Sequence, residues 1–124
     1  MAESKGVRVG LVKIPVTDLG RAATFYREVL GLPEEFAVPA YGWAQYSTEG
    51  VPLCLYISGR GGGNGKPGSC DSVHLVVRDA KESRAGILQR GGQPTDVVQS
   101  DDGGAFFEVQ DPDGNTIKFM QARV

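Results

Sequence analysis

One plan is written twice in this chain. GLVKIPVTDLGRAATFYREVLGLP, at 10–33, opens with Val12, Ile14 and Val16 at every second position and then turns to helical spacing, with Ala22, Phe25, Tyr26, Val29 and Leu30 at i, i+3 and i+4 intervals. Asp18 stands where a carboxylate caps free helix N–H groups, and Gly31 followed by Pro33 ends the helix. SVHLVVRDAKESRAGILQRGGQP, at 72–94, repeats the order, with Val73, Leu75 and Val77 on one strand face and Asp79 and Glu82 as a capping pair. Asp79 follows Asp18, Gly92 follows Gly31 and Pro94 follows Pro33 by the same 61 residues, so strand, cap, helix and exit coincide.

After each helix come short strand-like runs: WAQYS and VPLCLYIS in the first half, AFFEVQ and NTIKFMQ in the second. The final pair in each half is joined by a turn, STEG or DPDG. Aligning those turns sets Gly114 opposite Gly50 and Lys118 opposite Cys54, an offset of 64, so the halves differ by three residues before the last strand. GRGGGNGKPGS, at 59–69, reads as a flexible linker between the halves. It is no Walker A loop, because Arg60 and Pro67 stand where Gly and Ser or Thr are required, and a strand follows its GxGxxG spacing where a helix should.

A chain of 124 residues with 40% hydrophobic and 23% charged composition suits one globular domain. The net charge of −2 lacks the basic footprint of a nucleic-acid or anionic-membrane partner. The N-terminal MAESKGVRVG has no leader pattern and no run approaches the roughly 20 apolar residues of a membrane span, so the expected location is cytoplasmic. Cys54 and Cys70, far apart and without a CxxC pattern, are expected as reduced thiols.

The D-L-x-x-A-x-x-F-Y helix start at 18–26, the DPDGN turn at 111–115 and the duplicated βαβββ plan together resemble the vicinal oxygen chelate superfamily, which includes glyoxalase I, bleomycin-resistance proteins and extradiol dioxygenases. The resemblance covers nearly the whole chain. It implies an α+β fold of two tandem βαβββ modules, at about 6–58 and 70–122, whose curved mixed sheets surround a cavity with helices on the outer face. It also implies a homodimer, and metal ligands (His, Gln or Glu) on the first and last strands of each module. Those places hold Leu11, Ser72, Cys54 and Lys118, a departure at all four. Leucine has no lone-pair donor and a protonated lysine repels a cation, so no metal cofactor is expected.

Strand alternation assigns the cavity face, since the apolar side of each strand must lie against the helices. It places Leu11 and Lys13 on one first strand, and Ser72, His74 and Val76 on the other. Cys54 and Tyr56 follow on one closing strand, Lys118 and Met120 on the other, with Trp43 and Gln45 on WAQYS offering an aromatic face and an amide. Lys13, His74 and Lys118 would collect positive charge on a slightly acidic protein, with Glu108 the obvious internal counter-charge unless a bulge before DPDG turns it away. The expectation is a metal-independent small-molecule binding protein taking an anionic or carbonyl-bearing ligand. The alternative is a lyase, isomerase or dioxygenase with a non-standard metal site, or with His74 as general base and Lys118 stabilising an oxyanion.

Overall fold

The computed structural model describes residues 5–121; readings that fall on Met1–Ser4, and the end of the second module at Ala122, lie outside them. The first module runs β1 (Val12–Val16), α1 (Leu19–Thr24), a π-helical turn (Phe25–Val29), β2 (Glu34–Val38), β3 (Trp43–Tyr46) and β4 (Leu53–Ile57). The second runs β5 (Val73–Val77), α2 (Ala80–Gln89), β6 (Val98–Gln99), β7 (Ala105–Gln110) and β8 (Thr116–Gln121). Each forms a mixed four-stranded sheet, ordered β1-β4-β3-β2 and β5-β8-β7-β6, with the first strand parallel to the last. Two tandem α+β modules are thus present as the repeat requires. β2 and β6 are the strands the sequence concealed: EEFAV is an exposed edge without alternation, and β6 is two residues long.

The change of offset is visible in the register. Lys13 pairs with Cys54 and His74 with Lys118, so the first strands are 61 residues apart and the last strands 64. The helices are less alike than their spacing predicts. Both aspartates cap as expected, Asp18 accepting from Arg21 N and Asp79 from Glu82 N, each at 3.0 Å. Beyond the cap, the first helix widens by one residue: Leu30 N bonds to Phe25 O, and Leu32 N closes back to Tyr26 O. In α2 the closing bond spans one residue fewer, Gly92 N to Ile87 O, so the left-handed exit glycine is Gly91, not the aligned Gly92.

Ile14, Val16, Tyr26, Tyr46, Leu53 and Leu55 join Ile87, Phe107, Ile117 and Phe119 in one buried core shared by both modules. Phe107 and Phe119 stack in parallel at 5.0 Å, an arrangement that adds about 1 kcal/mol to their burial.

The polar join between modules lies in the DPDGN turn. Asn115 is fully buried; its Nδ2 donates to Pro15 O of β1 and to Asp111, and its Oδ1 accepts from Gly68 N and Cys70 N. Buried Asp111 also accepts from Asp113 N, Asn115 N and, at 2.8 Å, the hydroxyl of Tyr26. Asp113 accepts from Thr17 N, and Arg21 donates to Pro112 O. The turn read as a local reversal is therefore a clasp onto module one.

Two outcomes follow from that clasp. Asn115→Ala strands Pro15 O, Gly68 N and Cys70 N without their side-chain partner and should lower the unfolding free energy by about 3 kcal/mol in urea titration. Burial, then the Asp111 carboxylate, push the Tyr26 hydroxyl far above the ordinary tyrosine range. A folded-state value raised in this way gives stability that is complete below about pH 10, where unfolded tyrosine ionises, and is lost as pH climbs above it. Urea midpoints across that range should fall less steeply in Tyr26→Phe than in the parent chain.

Candidate functional site

The paired registers produce two superposable rows of side chains on the sheet faces turned away from the helices. In module one, Lys13, Cys54 and Gln45 stand side by side across β1, β4 and β3, with Pro15, Tyr56 and Trp43 in the next row. In module two the corresponding rows are His74, Lys118 and Glu108, then Val76, Met120 and Phe106, across β5, β8 and β7. The structure therefore distributes Lys13, Trp43, Gln45, Cys54 and Tyr56 on one sheet and His74, Lys118 and Met120 on the other. Leu11 and Ser72 each lie one residue before their strand.

Module one's row is knit together. Gln45 Oε1 accepts from Trp43 Nε1 at 3.3 Å and from the Cys54 thiol at 3.4 Å, while Gln45 Nε2 donates to Glu35. Glu35 reaches that position because β2 carries a bulge, two residues opposing Gln45 alone. Burial, and then the Glu35 carboxylate, push the Cys54 thiol up to about 11. Cys54 is thus a neutral thiol at ordinary pH, poorly suited to nucleophilic attack. Lys13 lies over the Tyr56 ring and donates to Gly62 O.

Module two's row is open. The bulge anticipated before DPDG is absent: β7 pairs with β8 without interruption, so Glu108 faces Lys118, Nζ to Oε2 3.8 Å. Lys118 also lies 4.7 Å from the Phe106 ring centroid. Its charge is therefore answered internally and only partly exposed, with Glu108 the counter-charge that the sequence offered provided no bulge turned it away. His74 is exposed, with Nδ1 3.1 Å from Ser72 O. His74, Phe106, Lys118 and Met120, with the 100–104 loop, line a cavity of about 350 Å³, with Glu108 at its margin through its pairing with Lys118. A larger groove of about 670 Å³ runs between α1, β2 and the end of β4, where Arg27 is already paired with Glu34. Among the described residues no three His, Cys, Asp or Glu side chains gather as a metal-binding group.

Sequence reasoning missed Phe106, which shares a face with Glu108 by simple alternation, and Glu35, whose orientation depends on a bulge. It also missed the path of the glycine-rich segment. That stretch, expected as a flexible linker, is tied down by Gly59 N to Gly63 O, Gly65 N to the Tyr56 hydroxyl and Gly68 N to Asn115.

The profile of the glyoxalase/bleomycin resistance protein/dioxygenase superfamily matches residues 8–119. With the duplicated fold, this match establishes that the chain belongs to that superfamily. TnmS3, an antibiotic binding protein from Streptomyces sp. CB03234, is similar at 28% identity and a TM-score of 0.77, covering 98% of each chain. Lactoylglutathione lyase from Agrobacterium tumefaciens shares 18% identity at a TM-score of 0.76, covering 93% of each chain. A superfamily member from Sphaerobacter thermophilus DSM 20745 shares 23% at 0.78, over 94% of this chain and 98% of its own. No curated protein sequence matches the chain. The two likenesses below a quarter identity speak to the fold alone.

The raised Cys54 thiol gives a direct check. Under alkylation near neutral pH, partly exposed Cys70 should be modified first and Cys54 should lag by about tenfold or more, read by peptide mass spectrometry.

Proposed function

We propose that this chain is a small-molecule binding protein that holds an anionic or carbonyl-bearing, partly planar ligand on the open face of module two without a metal. The observation that carries the reading is the cross-strand row His74, Lys118 and Glu108 beside Phe106 and Met120. The cavity lined by His74, Phe106, Lys118 and Met120 has a volume in the range of small-molecule sites, and it combines an apolar floor with few polar groups. Lys118 donates to the ligand's oxygen, Phe106 and Met120 supply contact area, and Glu108 accepts from any donor on the ligand. The likeness to an antibiotic-binding protein supports binding as the role.

The donor set supports metal independence. Leu11 and Ser72 offer a cation little, Cys54 is held as a neutral thiol, and Lys118 brings positive charge to the remaining place. Exposure of Val76 at 65%, Val98 at 50% and Met120 at 38% on module two supports a homodimer in which a second copy covers part of this face. No helix among the described residues is long and apolar enough to cross a membrane, and the two free thiols fit the reducing cytoplasm.

A second, enzymatic reading draws on one observation. If His74 Nδ1 donates to Ser72 O, the Nε2 is left as an acceptor next to Lys118, a base beside an oxyanion stabiliser. It requires turnover that His74→Ala abolishes; binding with unaltered ligand recovered by mass spectrometry excludes it.

The binding reading is tested by thermal shift on chelator-treated protein with aromatic carboxylates and their amine counterparts. Carboxylates should raise the melting temperature, and Lys118→Met should weaken that binding by about tenfold or more, the worth of one charge-assisted hydrogen bond. Stabilisation by amines alone, or only after a divalent cation is restored, contradicts it.

A further inference from the structure

Part of the face of module one is already covered, around Pro15, Cys54 and Tyr56. This face is the counterpart of the open face, yet Cys54 has no exposed surface and Tyr56 retains 5%, whereas Met120, the equivalent of Tyr56, is 38% exposed. Over Tyr56, Trp43 and Pro15 the cover is the strap of residues 59–65. Gly65 N donates to the Tyr56 hydroxyl at 3.1 Å, and Lys13 donates to Gly62 O. A Cβ on Gly62 would stand 2.9 Å from Tyr56 Cβ and 3.3 Å from Trp43 Cζ3, and one on Gly63 3.1 Å from Tyr56 Cε2. The strap lies this flat only because those positions carry no side chain.

This cover is a weak one. Glycine buries almost no apolar side-chain area and loses the most chain entropy when ordered. The Lys13 ammonium is answered by a neutral carbonyl and a ring face; the described residues give it no salt-bridge partner. A carboxylate oxygen in the place of Gly62 O makes the stronger, charge-assisted bond, and a flat ring offers Tyr56 and Trp43 more contact than bare backbone.

We propose that the 59–65 strap is a displaceable internal occupant of a second binding face, whose ligand is a flat aromatic carboxylate with its carboxylate on Lys13 and its ring against Trp43 and Tyr56. The inference stands on the covered face and does not need the open face of module two to bind anything. It makes binding here self-limiting: the ligand must displace the strap, so affinity is set by the difference between ligand and strap.

Hydrogen exchange with 2-naphthoate tests it on the unaltered protein. Ordinary binding slows exchange in what it covers; displacement instead speeds exchange at 59–65 while slowing it in β3 and β4, and Lys13→Met abolishes both changes. A second arm uses Gly62→Ala with Gly65→Ala. Neither glycine has positive φ, so alanine acts through the Cβ contact alone. Exchange at 59–65 should then be faster without ligand, and 2-naphthoate should bind about tenfold more tightly than to the parent chain. Unchanged or slowed exchange at 59–65 overturns the proposal, as does parental affinity for 2-naphthoate in the folded double variant. If that variant does not fold, the exchange arm decides alone. A Lys118-dependent melting shift with 59–65 unmoved overturns the strap and leaves the module-two reading standing. Faster exchange at 59–65 with no Lys118 dependence supports the strap and removes that reading.

Discussion

Asn115 and Asp111 are the point on which the two modules depend. A duplicated chain could fold as two independent sheets, but each would leave its helix-side apolar surface short of cover. Asn115 reaches Pro15 O of β1, and Asp111 accepts from Tyr26 at the widened turn after α1. Both groups are buried, so their hydrogen bonds are obligatory, and they hold only when the modules sit in one relation. The same asparagine fastens Gly68 and Cys70, which fixes where the glycine-rich segment ends and β5 begins. The clasp is one-sided. The equivalent turn of module one, STEG, is closed locally by Thr48, which accepts from Gly50 N and donates to Val51 O.

Alongside that asymmetry the two modules present corresponding faces of different character. Lys13, Cys54 and Gln45 correspond to His74, Lys118 and Glu108. Beside the first set the strap covers Tyr56 and Trp43, and the Cys54 thiol is held neutral by burial and by Glu35. The second is open, its lysine opposed by a glutamate across the strand pair. Among the described residues neither row gathers three His, Cys, Asp or Glu side chains, while both offer an ammonium beside an aromatic ring. The recurrence of that pairing, in a chain whose charges are otherwise dispersed, makes recognition of anionic planar compounds the economical reading of both faces.

Much of this was legible in the sequence because period and spacing encode it. Val12, Ile14, Val16 and their repeat fixed which strand faces meet the helices, and Asp18 and Asp79 marked the caps. The residues on the strand faces turned away from the helices followed by alternation. What was hidden depends on departures from regularity or on contacts distant in sequence. The extra residue in the first helix breaks the 61-residue match at Gly92 without any change in its pattern. Glu35 faces Gln45 only through a bulge, and Glu108 answers Lys118 only because no bulge intervenes. The glycine-rich segment reads as flexible by composition; its fixed course comes from Tyr56, Lys13 and Asn115, which composition cannot reveal.

The central claim is that a metal-free concave face in module two is the binding surface. Amide chemical-shift mapping of the chelator-treated protein during titration with an aromatic carboxylate addresses it most directly. The account predicts that the earliest perturbations centre on His74, Phe106, Glu108, Lys118 and Met120 across β5, β7 and β8. Perturbations confined to the groove beside α1, or appearing only once a divalent cation is added, would contradict it.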